Sequence, residues 1–132
     1  MKTTKSRIEK DSLGEIEIPY NAYYGVQTQR AVLNFPVSGW KAHPVMVDAY
    51  VYIKKAAAIT NAELGLLNKK IAGAIVKAAD EVLSGKHREH FVVDVYQAGA
   101  GTAHNMNSKE VLANRGIEIL GGKRGGVDDV GE

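Results

Sequence analysis

Apolar residues recur along this chain with two different periods, and each period predicts a different backbone structure. Residues 15–18 alternate polar and apolar side chains as Glu-Ile-Glu-Ile and stop at Pro19. A period of two is typical of a strand with one buried face, and proline cannot donate a hydrogen bond to a neighbouring strand. The sequence therefore predicts a short N-terminal strand. Residues 19–39 then mix aromatic and turn residues, which predicts an irregular arm with one helical turn over 27–33.

Three longer segments carry helical signals. Residues 44–65 begin with a proline, suited to a first helical turn, and end with a glycine, suited to the position after a helix. Residues 68–84 begin with an asparagine that can cap a helix and are followed by Gly85. A third helix is expected over 104–120, where two glycines follow. The predicted fold class is mainly α, with three helices and a short N-terminal β segment.

The first two helices differ in how their apolar residues are distributed. The helix over 68–84 has one apolar stripe, formed by Ile71, Ile75, Ala78, Ala79 and Val82. The helix over 44–65 is apolar in nearly every direction, through Val45, Val47, Ala49, Val51, Ile53, residues 56–59 and Ala62. A helix of this kind is buried on more than one face. We expect part of that surface to be covered by another subunit or by further chain.

Composition and charge narrow the class of protein. Of the 132 residues, 45% are hydrophobic and 24% are charged, as in soluble globular proteins. The formal net charge is +2 and the basic residues are dispersed, which argues against nucleic acid as the main partner. Cysteine is absent, so disulfides and thiolate metal sites are excluded. No apolar run reaches the roughly 20 residues of a membrane span and no secretory signal is evident, so a cytoplasmic location is expected.

Candidate chemistry is concentrated in residues 97–107, Gln-Ala-Gly-Ala-Gly-Thr-Ala-His-Asn-Met-Asn. Here a glycine-rich turn leads into a predicted helix. The N-terminus of a helix presents unpaired backbone N–H groups and partial positive charge, which suit a carboxylate or phosphate. Gly99 and Gly101 would let the backbone approach such an anion, and Thr102 would add a hydroxyl donor. The alternative is a glycine turn in which Thr102 only caps the helix.

Two nucleotide-binding motifs do not fit this turn. A P-loop needs a lysine between its last glycine and its Ser or Thr, whereas Thr102 directly follows Gly101. A dinucleotide-binding fingerprint needs a third glycine at position 104, which is histidine.

Several segments, taken together, resemble one family. Residues 101–107 followed by 108–115, Ser-Lys-Glu-Val-Leu-Ala-Asn-Arg, are similar to the first signature of the aspartase/fumarase superfamily. Residues 7–31, from Arg-Ile-Glu to Gly-Val-Gln-Thr-Gln-Arg-Ala, resemble the N-terminal arm of aspartases. Shorter matches occur at 34–36, 53–57 and 93–97. The resemblance runs in one register from about residue 7 to residue 122, which makes it far more specific than a single motif. It implies the N-terminal domain, residues 1–122, of an all-helical superfold.

Two details favour an aspartase over a fumarase. The arm reads Tyr-Tyr-Gly-Val at 23–26, where fumarases usually have Leu-Trp-Gly-Ala. The glycine turn reads Ala-Gly-Ala-Gly-Thr at 98–102, where fumarases tend to have Thr-Gly-Ser-Gly-Thr. Fumarate hydratase remains the alternative within the superfamily. A non-catalytic fragment that acts only in folding or assembly is the alternative from another class.

The resemblance implies a mechanism and a set of site residues. Aspartases convert L-aspartate to fumarate and ammonia without a cofactor, and they must stabilise the dianion that forms when a proton leaves the carbon beside the β-carboxylate. By resemblance, Thr102 contacts a substrate carboxylate, with the backbone at Gly101 and Ala103 nearby. Asn105 is a further candidate, which alternatively ties the loop to the helix.

The resemblance also implies that the site is incomplete in these residues. The active site of the family combines three stretches from different subunits of a homotetramer, and only the first is present here. No general base can be named, so these residues alone are expected to be inactive. Two departures from the family pattern are Ala103, where serine is usual, and the chain after Gly122, where the register is lost. Residues 123–132 are expected to be a disordered Gly-rich tail.

Other polar residues have structural as well as functional interpretations. His87 and His90, three residues apart, would suit a metal if helical, but a solvated loop without metal is the expectation because no third ligand is evident. His104 could donate to an anion beside Thr102. Arg30 could reach an anionic site, with a structural salt bridge or a subunit contact as the alternatives. The tyrosines are expected to be packing residues.

Overall fold

The N-terminal β segment is a hairpin rather than a single strand. A computed structural model of the protein describes residues 5–125. Strand β1, Ser6–Asp11, pairs antiparallel with strand β2, Gly14–Pro19, in a register that places Ile8 opposite Glu17. The predicted strand corresponds to β2. Strand β1 was not predicted because its segment has a single apolar residue, Ile8, which is itself 68% exposed.

Four α-helices follow the hairpin within residues 5–125. They are α1, Val26–Asn34; α2, Pro44–Glu63; α3, Lys69–Leu83; and α4, Thr102–Ile119. The three predicted helices are confirmed as α2, α3 and α4, and the mainly α fold class is confirmed with them. The single helical turn predicted over residues 27–33 was too short, since α1 is a helix of nine residues. A turn of 3-10 helix, Arg88–His90, lies between α3 and α4.

The main core lies where α3 packs against both α2 and α4. Its fully buried members are small or branched side chains: Val51, Ala78, Ala79, Val82 and Val111. Helix α1 lies against α4, and the hairpin lies against α1. These contacts place the N-terminus of α4 beside α1 and the hairpin turn, where the candidate site is found.

Helix α2 is only partly covered. Val47, Val51 and Ala58 are buried, but Val45 is 66% and Ile53 is 63% exposed. Residues 5–125 therefore leave part of this helix uncovered, and its coverage by another subunit or by further chain stays a prediction. Within the same range, no helix has the length and apolarity needed to cross a membrane.

The predicted tail lies mostly outside the described residues. Residues 126–132 are not described, whereas 123–125 are. Within that short piece, the Arg124 guanidinium donates to Glu118 at 2.6 Å and lies 4.2 Å from the centre of the Tyr23 ring. The Gly125 N–H donates to the side chain of Asn114 at 2.7 Å. The chain therefore stays in contact with α4 as far as Gly125.

Candidate functional site

The glycine turn sets the start of α4. Gly101 has φ +77° and ψ 7°, a left-handed conformation that glycine adopts at little cost. Its N–H donates to the Ala98 carbonyl at 3.0 Å, and its carbonyl accepts from the Asn105 N–H at 3.1 Å. Because the helix starts directly after this glycine, α4 begins at Thr102 and not at His104, where its start was expected.

The N-terminus of α4 is open. Gly101 has no side chain to cap it, and no other side chain of the described residues does so. Within residues 5–125, the backbone N–H groups of Thr102, Ala103 and His104 have no hydrogen-bond partner. Thr102 is exposed and Ala103 is buried. The threonine hydroxyl and the unpaired amides can therefore receive an anion, and Thr102 does not cap its own helix through its side chain.

Thr102 and Ala103 line an open cavity of about 440 Å³ between α4, α1 and the hairpin turn. Arg30 lines the same cavity, but its guanidinium is already engaged. It forms two hydrogen bonds with the Asp11 carboxylate, at 2.9 and 2.8 Å, and one with the Gly14 carbonyl at 2.9 Å. The hydrogen bonds from Arg30 lower the pKa of Asp11 below its ordinary value. Of the interpretations of Arg30, the structure supports the structural salt bridge.

The two asparagines that follow Thr102 differ in role. The Asn105 side chain is half-buried, and the one hydrogen-bond contact described for it is with Met106 Sδ at 3.9 Å. Asn107 is 1% exposed; its Nδ2 donates to the His90 carbonyl and its Oδ1 accepts from the Val92 N–H, both at 2.9 Å. Asn107 therefore ties α4 to residues 90–92, before the glycine turn, whereas no hydrogen bond from the Asn105 side chain to that turn is described.

The histidines between α3 and α4 make protein contacts. His87 Nε2 lies 2.8 Å from a Glu81 carboxylate oxygen, and His90 Nδ1 accepts from the Tyr23 N–H at 3.2 Å. Both imidazoles are partly buried, although residues 84–86 and Glu89 around them are exposed, so the loop is solvated but these two side chains are not fully so. Among the described residues, no three His, Asp or Glu side chains are placed as metal ligands.

His104 lies in the first turn of α4. Burial lowers the pKa of His104, which favours the neutral imidazole.

Sequence reasoning missed the role of Glu110. This side chain projects from α4 to the start of α1, where its carboxylate accepts from the N–H groups of Gly25 at 2.7 Å, Gln27 at 2.8 Å and Thr28 at 3.1 Å. Glu110 was visible only as part of a motif. Its partners lie more than 80 positions earlier in the chain, so no local pattern could reveal the contact.

Comparison with known proteins identifies a family that matches most of the chain. A family model described as lyase matches residues 14–130. The match extends past Gly122, where the resemblance was expected to end.

The similar proteins include two enzyme types. The chain is 52% identical over 127 residues to an aspartate ammonia-lyase from a Bacillus species, covering 96% of the chain and 27% of that protein. It is 54% identical over 115 residues to a class II fumarate hydratase from Halobacterium salinarum, covering 87% and 24%. A crystal structure of fumarate lyase:delta crystallin from Brucella melitensis, bound to cobalt, superposes with a TM-score of 0.93 at 48% identity, covering 96% and 28%. The chain thus spans about a quarter of the length of these proteins.

Proposed function

We propose that this chain, which belongs to the aspartase/fumarase superfamily of lyases, acts as the N-terminal part of an aspartate ammonia-lyase. The choice of aspartase rests on two stretches of sequence, residues 23–26 in the arm and residues 98–102 in the turn. Fumarate hydratase is the second candidate because relatives with that activity are as similar in sequence as the aspartases.

The open N-terminus of α4 is the observation that carries the proposal. A carboxylate at this position would accept from the Thr102 hydroxyl and from the unpaired amides of the first turn, next to Gly101 and Ala103. When a proton leaves the carbon beside that carboxylate, negative charge accumulates on its oxygens. Fixed donors that already point at those oxygens stabilise the charge without reorganisation. Asn105, whose side-chain amide has no strong partner among the described residues, is a further donor from the same helix.

The rest of the reaction requires groups from elsewhere. By the family resemblance, the site needs two other stretches, which different subunits contribute and one of which supplies the general base. The partners we propose are therefore L-aspartate or fumarate and further copies of the protein, with no cofactor. The apolar residues exposed on α2 provide surface for such assembly, since large exposed apolar patches usually mark interfaces.

Assembly can be tested on the chain itself by sedimentation over a wide concentration range. We expect a dimer or larger species, because Val45, Tyr52 and Ile53 remain 60–66% exposed on one helix. Ile53→Asp, which charges that surface, should shift the distribution towards monomer. Lys77→Asp on α3, an exposed residue outside the apolar surface, is the control. A single monomeric species that binds no apolar dye would contradict the assembly proposal.

The activity is tested with the complete enzyme that contains these residues. Formation of fumarate is followed by its ultraviolet absorbance, with L-aspartate and with L-malate as alternative substrates. We expect turnover of L-aspartate in the ordinary enzyme range of about 1 to 1,000 per second. Faster turnover of L-malate would assign the chain to a fumarate hydratase instead.

A chimera tests the contribution of these residues separately. The chain replaces the aligned N-terminal part of the Bacillus subtilis aspartate ammonia-lyase, to which it is 51% identical over 119 residues. We expect the chimera to be active and the 132-residue chain alone to be inactive, since the chain supplies one of three site stretches. A folded, assembled chimera without activity would support the non-catalytic alternative.

A further inference from the structure

A tyrosine from α2 lies against the turn that opens the candidate site. A Cβ atom built on Gly101 would lie 3.0 Å from the Tyr50 hydroxyl oxygen. Apart from the residues adjacent in the chain, no other atom of the described residues lies within 4 Å of that position. The Tyr50 ring also faces His104 in the first turn of α4, with ring centres 6.4 Å apart.

The core does not require a hydroxyl at this position. Tyr50 lies on the α2 face that also carries the buried Val47 and Val51, and it is itself half-buried. An apolar side chain of similar size would serve the packing equally well. Within residues 5–125 the Tyr50 hydroxyl makes no hydrogen bond. It lies beside Gly101.

Besides the hydrogen bond from the Gly101 N–H to the Ala98 carbonyl, the turn has few other restraints. Residues 98–100 are all exposed, and glycine has access to conformations on both sides of φ = 0. Gly101 must stay at positive φ for α4 to begin at Thr102. A group that occupies the space beside Gly101 limits the alternatives, and Tyr50 is the described residue that does so.

We propose that Tyr50 is a positioning residue of the carboxylate site, holding Gly101 in the conformation that directs Thr102 and the first amides of α4 at the substrate. The catalytic consequence rests on the proposed lyase function, but the structural claim does not. Tyr50 acts through Gly101 and need not touch the substrate.

The structural claim is tested by amide hydrogen exchange in the chain itself. In Tyr50→Phe, which keeps the ring and deletes the hydroxyl beside Gly101, we expect the Gly101 and Asn105 amides to exchange about three- to tenfold faster, because the turn opens locally more often. Tyr20→Phe removes a hydroxyl from a side chain that is 54% exposed and lies outside the apolar surface of α2, and should leave exchange unchanged. Equal exchange in wild type and Tyr50→Phe would overturn the proposal.

The catalytic consequence is tested in the complete enzyme or the chimera. We expect Tyr50→Phe to lower kcat about tenfold with KM nearly unchanged, because misplacement of catalytic groups slows the chemical step more than it weakens binding. Gly101→Ala should be harmful because the methyl group meets the Tyr50 hydroxyl and the φ is positive. The loss of kcat that Gly101→Ala causes in the Tyr50→Phe background should be at least about fivefold smaller than the loss it causes in the wild type. Contacting residues show coupled effects of this kind.

The outcomes separate this inference from the proposed function. Independent losses in the double variant, or the same kcat for Tyr50→Phe and Tyr20→Phe, would overturn the positioning role while leaving the lyase function intact. Absence of activity with both substrates would count against the lyase function. The exchange measurement would still decide whether Tyr50 holds the turn.

Discussion

The N-termini of α1 and α4 both have a glycine as N-cap, extended at Gly25 and left-handed at Gly101, but they differ in what occupies them. The start of α1 is filled by the Glu110 carboxylate, which accepts from three backbone N–H groups. The start of α4 has no side-chain cap from the described residues, and an exposed threonine lies at its first position. The two sites are linked, since Glu110 projects from α4 itself.

The comparison teaches what α4 can bind. Glu110 demonstrates, within this molecule, how a carboxylate is held by the first amides of a helix. Asp94 gives a second example outside a helix, accepting from the N–H groups of Ser38, Gly39 and Tyr96 at 2.7–2.8 Å. At α4 the same kind of donors have no acceptor within residues 5–125. These donors are therefore available to a carboxylate from outside residues 5–125, which is consistent with the proposed substrate site.

The largest expected effect concerns the open site. Thr102→Val keeps the shape of the side chain and deletes its hydroxyl. In the complete enzyme we expect kcat to fall about 100- to 1,000-fold, the usual cost of losing one fixed donor to a developing oxyanion. Steady-state turnover of L-aspartate measures this. Thr60→Val, at an exposed threonine on α2, is the matched control and should leave kcat unchanged.

The stability of the fold, in contrast, should hardly respond to the same substitution. Thr102→Val should change the free energy of unfolding by less than about 0.5 kcal/mol, because the deleted hydroxyl belongs to an exposed side chain that does not cap the helix. If Thr102→Val lowered kcat by less than a factor of about three, the Thr102 hydroxyl would have no role in catalysis. The N-terminus of α4 would then no longer differ from that of α1 by binding the substrate.

The filled site should give the next largest effect, on stability. Glu110→Ala leaves the amides of Gly25, Gln27 and Thr28 without their acceptor. We expect the free energy of unfolding to fall by about 2 kcal/mol, within the range for hydrogen bonds to a charged group. Urea unfolding at a fixed protein concentration measures it.

Two further variants sharpen this test. Glu110→Gln keeps one acceptor oxygen and should lie between wild type and the alanine variant. Glu63→Ala, at an exposed residue that ends α2, is the control and should have little effect. If Glu110→Ala were as stable as this control, Glu110 would not be an effective cap.

The smallest effect concerns the pH dependence at Asp94. Hydrogen bonds from the backbone N–H groups of Tyr96, Ser38 and Gly39 lower the pKa of Asp94 from 3.8 to about 2, and the bond from Tyr96 contributes most. Because the folded-state pKa is depressed, the ionised carboxylate stabilises the fold above about pH 4, and this contribution is lost as the pH falls through about 2. Asp94→Asn should therefore lower Tm at about pH 7 by more than at about pH 2. A difference in Tm that stays constant across this range would contradict the assignment.

The sequence by itself determined the elements whose signals are local. Pro44 and the glycine at 65 bounded α2 to within two residues, since α2 ends at Glu63. Asn68 accepts from the N–H groups of Lys70 and Ile71 and starts α3, as its residue type predicted. The glycine turn before α4 was also legible, because positive φ restricts the choice of residue. Signals of this kind act between residues a few positions apart.

Only the tertiary structure decided which polar groups remain free. Strand β1 has almost no apolar pattern of its own and forms by pairing with β2. Arg30 was a candidate for anion binding until the fold placed Asp11 and the Gly14 carbonyl against it. The start of α1 is closed by a glutamate 85 positions away, while the start of α4 stays open among the described residues. A backbone donor is satisfied by whichever acceptor the fold brings near, and that acceptor can lie anywhere along the chain.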